Sequence, residues 1–238
     1  MKKKIVVTGG TGRFGNCLKS VKTNHTIFFP TKKTFDILNT VNLKKYLKTT
    51  KADTVIHLAG LSRPMSIHEK DIKKSIELNI IGTANITKIC SELKIKLIYF
   101  STNYVYPGIK GNYSETDSLL PVNNYAWSKL GGEASVQLYK NSLILRVCMT
   151  EKPFVHNKAF SNVKTSFIYH KDVAKILFKL INKKGILNLG GEAKYIYDFV
   201  KKDKKDVKKT FLKKDDNFGI PFDSSMNLSK LKNILKKK

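Results

Sequence analysis

The chain has 238 residues, 41% of them hydrophobic, enough for one sizeable core with a small appended lobe and too many for a disordered polymer. Its formal net charge is +27, yet Arg13, Arg63 and Arg146 are the only arginines among 45 basic residues. Base-edge and bidentate phosphate recognition favours the planar guanidinium, so the lysines read as solvated helix faces and no nucleic-acid partner is expected, although an anionic small ligand gains from the field.

No run approaches the ~18 apolar residues of a membrane span, and the apolar run behind the first lysines is only Ile5-Val6-Val7, too short for a signal peptide. Cys17, Cys90 and Cys148 are dispersed without CxxC pairing, so a cytoplasmic protein with reduced thiols and no membrane partner is expected.

In chain order, residues 4–8 read as a short apolar strand, 14–22 as a helix, 26–29 as a second strand, 41–49 as a short helix and 54–58 as a third strand. A long helix is expected over 69–93, with Ile72, Ile76, Ile80, Thr83 and Ile86 at helical spacing. A strand over 96–101, a helix over 125–139 and a strand over 142–147 follow. This rhythm predicts an α/β fold, a Rossmann-like doubly wound parallel sheet covered by helices on both faces.

Beyond residue 150 the rhythm loosens: a strand over 166–169, a helix over 171–182, a strand over 185–189, a helix mixed with a strand at 210–212 in the lysine-rich stretch 201–214, and a closing helix over 227–235. The expected division is a dinucleotide-binding domain over 1–150 that carries the catalytic residues, and a small C-terminal substrate lobe over 151–238. The lobe interleaves with the sheet, and no linker separates the two.

Gly9, Gly12 and Gly15 follow the first strand and open the first helix. In that place Gly9 allows a tight turn, Gly12 lets a pyrophosphate approach the backbone, and Gly15 permits close packing of helix on strand, while the helix N-terminus faces the anion. Dinucleotide binding is expected there. An acid after the second strand would grip a ribose 2′-hydroxyl and favour NAD; TIFFPTKKTF (26–35) offers Lys32 and Lys33 instead, and Arg13 stands in the turn, so NADP is preferred over NAD.

Tyr125 and Lys129 are four apart on a predicted helix, so they share a face. Lys129 is expected to draw the phenol's pKa toward neutrality, and Thr102, at its strand end, to hydrogen-bond the same substrate oxygen. His57 reads as a satisfied core histidine; His25, His68, His156 and His170 give it no ligand spacing, and no metal is expected. Glu115 and Asp117 read as a solvated loop, and Ser101 lacks the GxSxG elbow of a hydrolase nucleophile.

Taken together, STNYVYPG (101–108), YAWSKLGGE (125–133), TVIHLAG (54–60), FDI (35–37), NIIGT (79–83), FIYHKDVA (167–174) and SSMNLSKL (224–231) resemble the extended short-chain dehydrogenase/reductases. Within that superfamily the resemblance is greatest to the dTDP-4-dehydrorhamnose reductase branch, and it covers nearly the whole chain. It implies a catalytic set of Thr102, Tyr125 and Lys129. It also implies cofactor contacts from Gly9, Thr11, Gly12, Arg13, Phe14, Gly15, Asp36, Ile37, Leu58, Ala59, Gly60 and Asn79, besides Tyr125 and Lys129, and substrate contacts from Thr102, Asn103, Tyr125 and Met149.

The activity implied is NAD(P)H-dependent reduction of a keto group on a nucleotide-diphosphate sugar, by a protein for which a homodimer is open. A nucleotide-sugar epimerase and a non-catalytic binding subunit are the alternatives. Asn103 stands where the branch usually carries Asp, Met149 where it carries Trp, and the stretch from 150 to 166 is shorter than the usual substrate lobe, so the departures gather on the sugar side. Asn103-Tyr104 also lacks the Asp-Glu pair of the 4,6-dehydratases.

Overall fold

Apolar runs buried on both faces require a sheet covered on both sides, and the chain builds one. The computed structural model describes residues 2–213 and 219–236. β1 (Lys4–Thr8) leads to α1 (Arg13–Lys19), β2 (Thr26–Phe28), α2 (Thr40–Thr50) and β3 (Thr54–His57). α3 (Ile67–Lys70), α4 (Ile72–Ser75), a π-helical turn (Ile76–Ile81) and α5 (Gly82–Glu92) precede β4 (Lys96–Thr102), α6 (Asn124–Gln137) and β5 (Ser142–Val147). The rest of the chain supplies β6 (Met149–Thr150), β7 (Lys158–Phe160), β8 (Lys164–Thr165), β9 (Ile168–Tyr169) and α7 (His170–Leu180). It closes with β10 (Gly185–Leu189), β11 (Lys194–Tyr195), α8 (Ile196–Val200), β12 (Lys208–Thr210) and α9 (Ser229–Lys236).

Six strands form one parallel sheet in the order β10-β5-β4-β3-β1-β2. The strand order reverses between β1 and β3, which opens a crevice at their carboxyl ends. Alternation along the strands feeds two cores: Ile5, Val7, Ile98 and Leu145 pack with α1 and α7, and Val6, Val55, Leu97 and Ile144 pack with α2 and α5. The expected doubly wound fold is therefore the observed one. α7 and β10, from beyond residue 150, complete this sheet, whereas the lobe proper has a small core of its own around Phe154, Val163, Ile196 and Val207.

The long helix expected over 69–93 is not continuous. Asp71 leaves helical backbone (φ −136°, ψ 73°), and its carboxylate caps α4 by accepting from Lys74 N at 2.9 Å. The π-helical turn then widens the helix by a residue and rotates the apolar stripe, leaving Ile72 and Ile76 exposed while Thr83 and Ile86 are buried. Smaller corrections follow local hydrogen bonding: α1 stops at Lys19, the strand at 166–169 narrows to Ile168–Tyr169, and the late strand forms at Lys208–Thr210. α8 ends ahead of the lysine-rich stretch, whose last residue lies outside those described. Among the described residues no helix is long and apolar enough to cross a membrane.

Two buried polar assemblies hold the sheet ends in register. Thr8 Oγ1 accepts from the N–H groups of Leu58 (3.0 Å) and Ala59 (2.9 Å), which leaves its own proton for His57 Nδ1 at 2.8 Å. His57 Nε2 then carries the ring proton and donates to Thr83 Oγ1 at 3.0 Å, so a neutral imidazole ties β1, β3 and α5 together. Further along, Glu133 Oε1 accepts from Arg146 Nη2 at 2.7 Å and Nε at 3.1 Å, and Glu133 Oε2 accepts from Ser101 Oγ at 2.5 Å. Arg146 Nη1 continues to Tyr106 OH and to the carbonyl of Glu115. Glu115 Oε1 accepts from Asn188 N at 3.0 Å, so the loop expected to be solvated is tied to β10.

Arg146→Met leaves the Glu133 carboxylate buried without its cation and should cost about 3–5 kcal/mol, read as a lowered urea midpoint. Burial holds His57 down to about 3, whereas an unfolded histidine titrates near 6.5. Stability from this group is therefore complete above pH 6.5 and is lost as the pH falls toward 3, at about 1.4 kcal/mol per pH unit. His57→Gln should remove that part of the slope in unfolding free energy against pH.

Candidate active site

Where β1 ends, the chain turns in very little space. Gly9 adopts φ +66°, and a Cβ there would stand 2.7 Å from Ala59 N; a Cβ on Gly15 would stand 2.6 Å from Gly10 Cα, so α1 packs straight onto the turn. Gly12 is different: among the described residues a Cβ there would meet only the Gly9 carbonyl oxygen, at 3.2 Å. The first turn of α1 has neither a side-chain cap nor an acidic residue. Bare backbone with free N–H groups thus faces outward, a surface that fits a phosphate ester.

From this turn a cleft of about 1450 Å³ runs across the carboxyl ends of the strands to the lobe. Gly9, Thr11, Gly12, Arg13, Phe14 and Gly15 line its start; Asp36 and Ile37 border it beyond β2, and Leu58, Ala59 and Gly60 beyond β3. Thr102, Asn103, Tyr125, Lys129 and Met149 line the part toward the lobe. Asp36 Oδ1 accepts from Leu38 N at 3.0 Å, which fixes the turn that presents Ile37. Lys32 reaches the cleft and Lys33 does not.

Two of the expected contacts are engaged elsewhere. Asn79 sits in the π-helical turn behind the wall, accepting from Leu61 N (2.7 Å) and donating to Leu61 O (2.9 Å) and Ser128 Oγ (2.8 Å). It holds the loop after Gly60 against α6. Asn103 borders the cleft, but its amide donates to Ser224 Oγ at 2.9 Å, next to Thr165, and so fastens the end of β4 to the lobe.

Helical spacing brings Tyr125 and Lys129 to one wall, yet the electrostatics differ from the expectation. Lys129 Nζ stands 4.2 Å from the centre of the Tyr99 ring, and Tyr99 OH donates to the Lys129 carbonyl at 3.0 Å. Burial pulls the ammonium down to about 7, partly opposed by the Glu133 carboxylate one turn on. Tyr125 is raised from its ordinary value by desolvation, which a hydrogen bond with Thr102 and the charge of Arg63 only partly offset. The phenol is not depressed by Lys129: burial dominates for both groups. His68, fully buried, stands edge-on to Tyr125 with ring centres 5.2 Å apart, and its Nδ1 is 2.6 Å from Ser75 Oγ.

Residue-by-residue reading missed Arg63, Glu151 and His170, all on the cleft. Arg63 Nη1 lies 2.9 Å and Arg13 Nη1 3.2 Å from the same Glu151 Oε1, while His170 opens α7 with its ring edge-on to Phe14. The scarcity of arginine was the available signal, since two of the three face this cleft.

The family model of the RmlD substrate binding domain matches residues 2–162. The chain is 29% identical over 155 residues to the methionine adenosyltransferase 2 subunit beta of Xenopus laevis, a match spanning 61% of this chain and 46% of that protein. It is also 29% identical over 140 residues to the dTDP-4-dehydrorhamnose reductase of Mycolicibacterium smegmatis, spanning 57% of this chain and 42% of that one. The match thus spans less than half the length of these curated relatives. The crystal structure of dTDP-4-dehydrorhamnose reductase from Bacillus anthracis in complex with NADP has the same fold, with a TM-score of 0.84 at 21% identity, covering 98% of this chain and 92% of that chain.

In the ligand-free protein the Lys129 ammonium should titrate near pH 7, followed by lysine side-chain NMR and assigned by its loss in Lys129→Met. Glu133→Gln should move that midpoint further down, because it removes the charge that favours the ammonium.

Proposed function

The chain belongs to the RmlD substrate binding domain family, and from that premise we propose that it reduces a keto group on a nucleotide-linked sugar with NAD(P)H. The observation that carries this reading is one cleft on which the bare glycine turn and the set Thr102, Tyr125 and Lys129 lie together. Gly9, Thr11, Gly12, Phe14 and Gly15 would hold the dinucleotide's pyrophosphate, Asp36 and Ile37 its adenosine, and Lys129 the nicotinamide ribose. Bound there, the nicotinamide supplies the hydride.

The chain's own groups handle the oxygen and its proton. Tyr125, raised by burial, stays a protonated phenol at neutral pH, the form that can donate to an oxygen gaining negative charge. Thr102 hydrogen-bonds the same oxygen and orients it. Lys129 takes its full charge most readily when negative charge develops on the phenol, since burial, partly opposed by Glu133, holds it near half-protonation at neutral pH.

NADP remains the preferred dinucleotide on a narrower basis. No carboxylate stands between the end of β2 and Phe35, where Pro30, Thr31 and Lys32 lie ahead of Asp36, and Lys32 is the cation on that part of the cleft. Arg13 is paired with Glu151, so one exposed lysine, screened by salt, is left for a 2′-phosphate.

A second reading has its own support: the Xenopus laevis relative is a subunit by name, and the Asn103 amide is committed to Ser224. Under it, this protein binds the dinucleotide without turning a sugar over.

Tyr125→Phe should lower turnover of a keto-sugar nucleotide by ~10² or more, with NADPH binding nearly unchanged. Undiminished turnover would reject the reductase assignment, and cofactor binding with no turnover in the wild type would favour the second reading. By fluorescence titration NADPH should bind about five- to tenfold more tightly than NADH, and Lys32→Ala should close the gap.

A further inference from the structure

Arg13 comes from the glycine turn, Arg63 from the loop after β3 and Glu151 from the chain just past β6, and the three meet over the cleft. Arg63 Nη1 lies 2.9 Å from Glu151 Oε1 and 3.2 Å from Oε2, and Arg13 Nη1 lies 3.2 Å from Oε1. The Glu151 side chain is 15% exposed, whereas those of Arg13 and Arg63 are 51% and 37% exposed, so the carboxylate is sheltered and both guanidiniums still reach the cleft.

We propose that Arg13 and Arg63 form a two-guanidinium site for the diphosphate of a nucleotide ligand, and that Glu151 fills this site until the ligand replaces it. The inference rests on the reading above that the cleft takes a dinucleotide and a nucleotide sugar.

The choice of residue supports it. In a chain whose basic residues are almost all lysine, the third arginine, Arg146, is consumed by the buried pair with Glu133, and the other two converge here. A planar fork is what bidentate phosphate recognition needs, and a lysine cannot replace it. Charge supports it as well. One carboxylate leaves the pair of guanidiniums with a net positive charge, and Lys158 also lines the cleft. A diphosphate, with two or more negative charges and several acceptor oxygens, matches two forks better than a carboxylate does. Because both anions need the same donors, ligand affinity is a difference between two pairings, and Glu151 sets it.

The diphosphate has two sources, the pyrophosphate of the dinucleotide and the diphosphate of the sugar nucleotide. Calorimetric titration with NADP+, and separately with dTDP, UDP and GDP, distinguishes them. Glu151→Gln should tighten one of these classes by about three- to tenfold, and Arg63→Gln should weaken the same class by a similar factor. In Arg63→Gln combined with Glu151→Gln the gain should shrink, since the competitor matters only through the arginines.

A gain confined to NADP+ assigns the site to the dinucleotide, and a gain confined to the nucleoside diphosphates assigns it to the substrate. Unchanged affinity of Glu151→Gln for every ligand overturns the inference while leaving the proposed function standing. A gain that survives replacement of both arginines overturns it too, as a general effect of net charge. A wild type that binds none of these ligands overturns both. Arg63→Gln alone, titrated with the same ligands, keeps the test decisive should Glu151→Gln fold poorly: unaltered affinity in that variant counts against the site.

Discussion

The ion pair between Glu133 and Arg146 is the constraint on which the rest of the site is built. α6 carries Gly131 and Gly132 in its interior, a choice that weakens a helix by about 1 kcal/mol each. The reason is proximity: a Cβ on Gly132 would come within 2.5 Å of the Asn79 carbonyl oxygen and 2.8 Å of Tyr99 OH. A helix drawn this close to the sheet buries whatever follows, and Glu133 follows. Its charge is tolerated because both oxygens are satisfied by Arg146 and Ser101, from β5 and β4. The pair thereby fixes the height and rotation of the helix that presents Tyr125 and Lys129.

That placement also sets the electrostatics. Lys129 is one turn from a buried carboxylate and above an aromatic face, so its ammonium keeps some support while losing its water. Tyr125 loses water too, with Arg63 and Thr102 offsetting only part of the effect; the two groups move in opposite directions because burial favours the neutral form, which is the protonated phenol but the deprotonated amine. The net positive chain contributes little to this balance, because its lysines are spread over solvated faces where salt and water screen them.

The lobe reaches the sheet through polar contacts as well as through the apolar cluster of Val105, Tyr106, Phe167 and Met226. Asn103, Thr165 and Ser224 form a fully buried cluster at the end of β4, with Cys148 Sγ 3.0 Å from Thr165 Oγ1. Such a cluster demands specific geometry where an apolar seam would tolerate sliding. It holds the end of β4 to the lobe on one side of the cleft, and the Glu151 pairing with Arg13 and Arg63 joins them on the other, nearer to solvent.

The sequence by itself determined the parallel sheet, the glycine turn and the common face of Tyr125 and Lys129, because each is a local pattern: short apolar runs buried on both faces, a positive φ at Gly9, and helical spacing. It also marked His57 as a core residue, from the apolar strand around it. Tertiary structure alone decided the break at Asp71 and the π-helical turn, where packing onto α6 overrides a regular isoleucine stripe. It alone turned Asn79 and Asn103 toward backbone and hydroxyl partners distant in sequence. Arg63 and Glu151 meet across 88 residues, and no local pattern encodes such an encounter. The protonation of Lys129 and Tyr125 belongs to the same class, since desolvation depends on everything packed around a group and not on its neighbours in the chain.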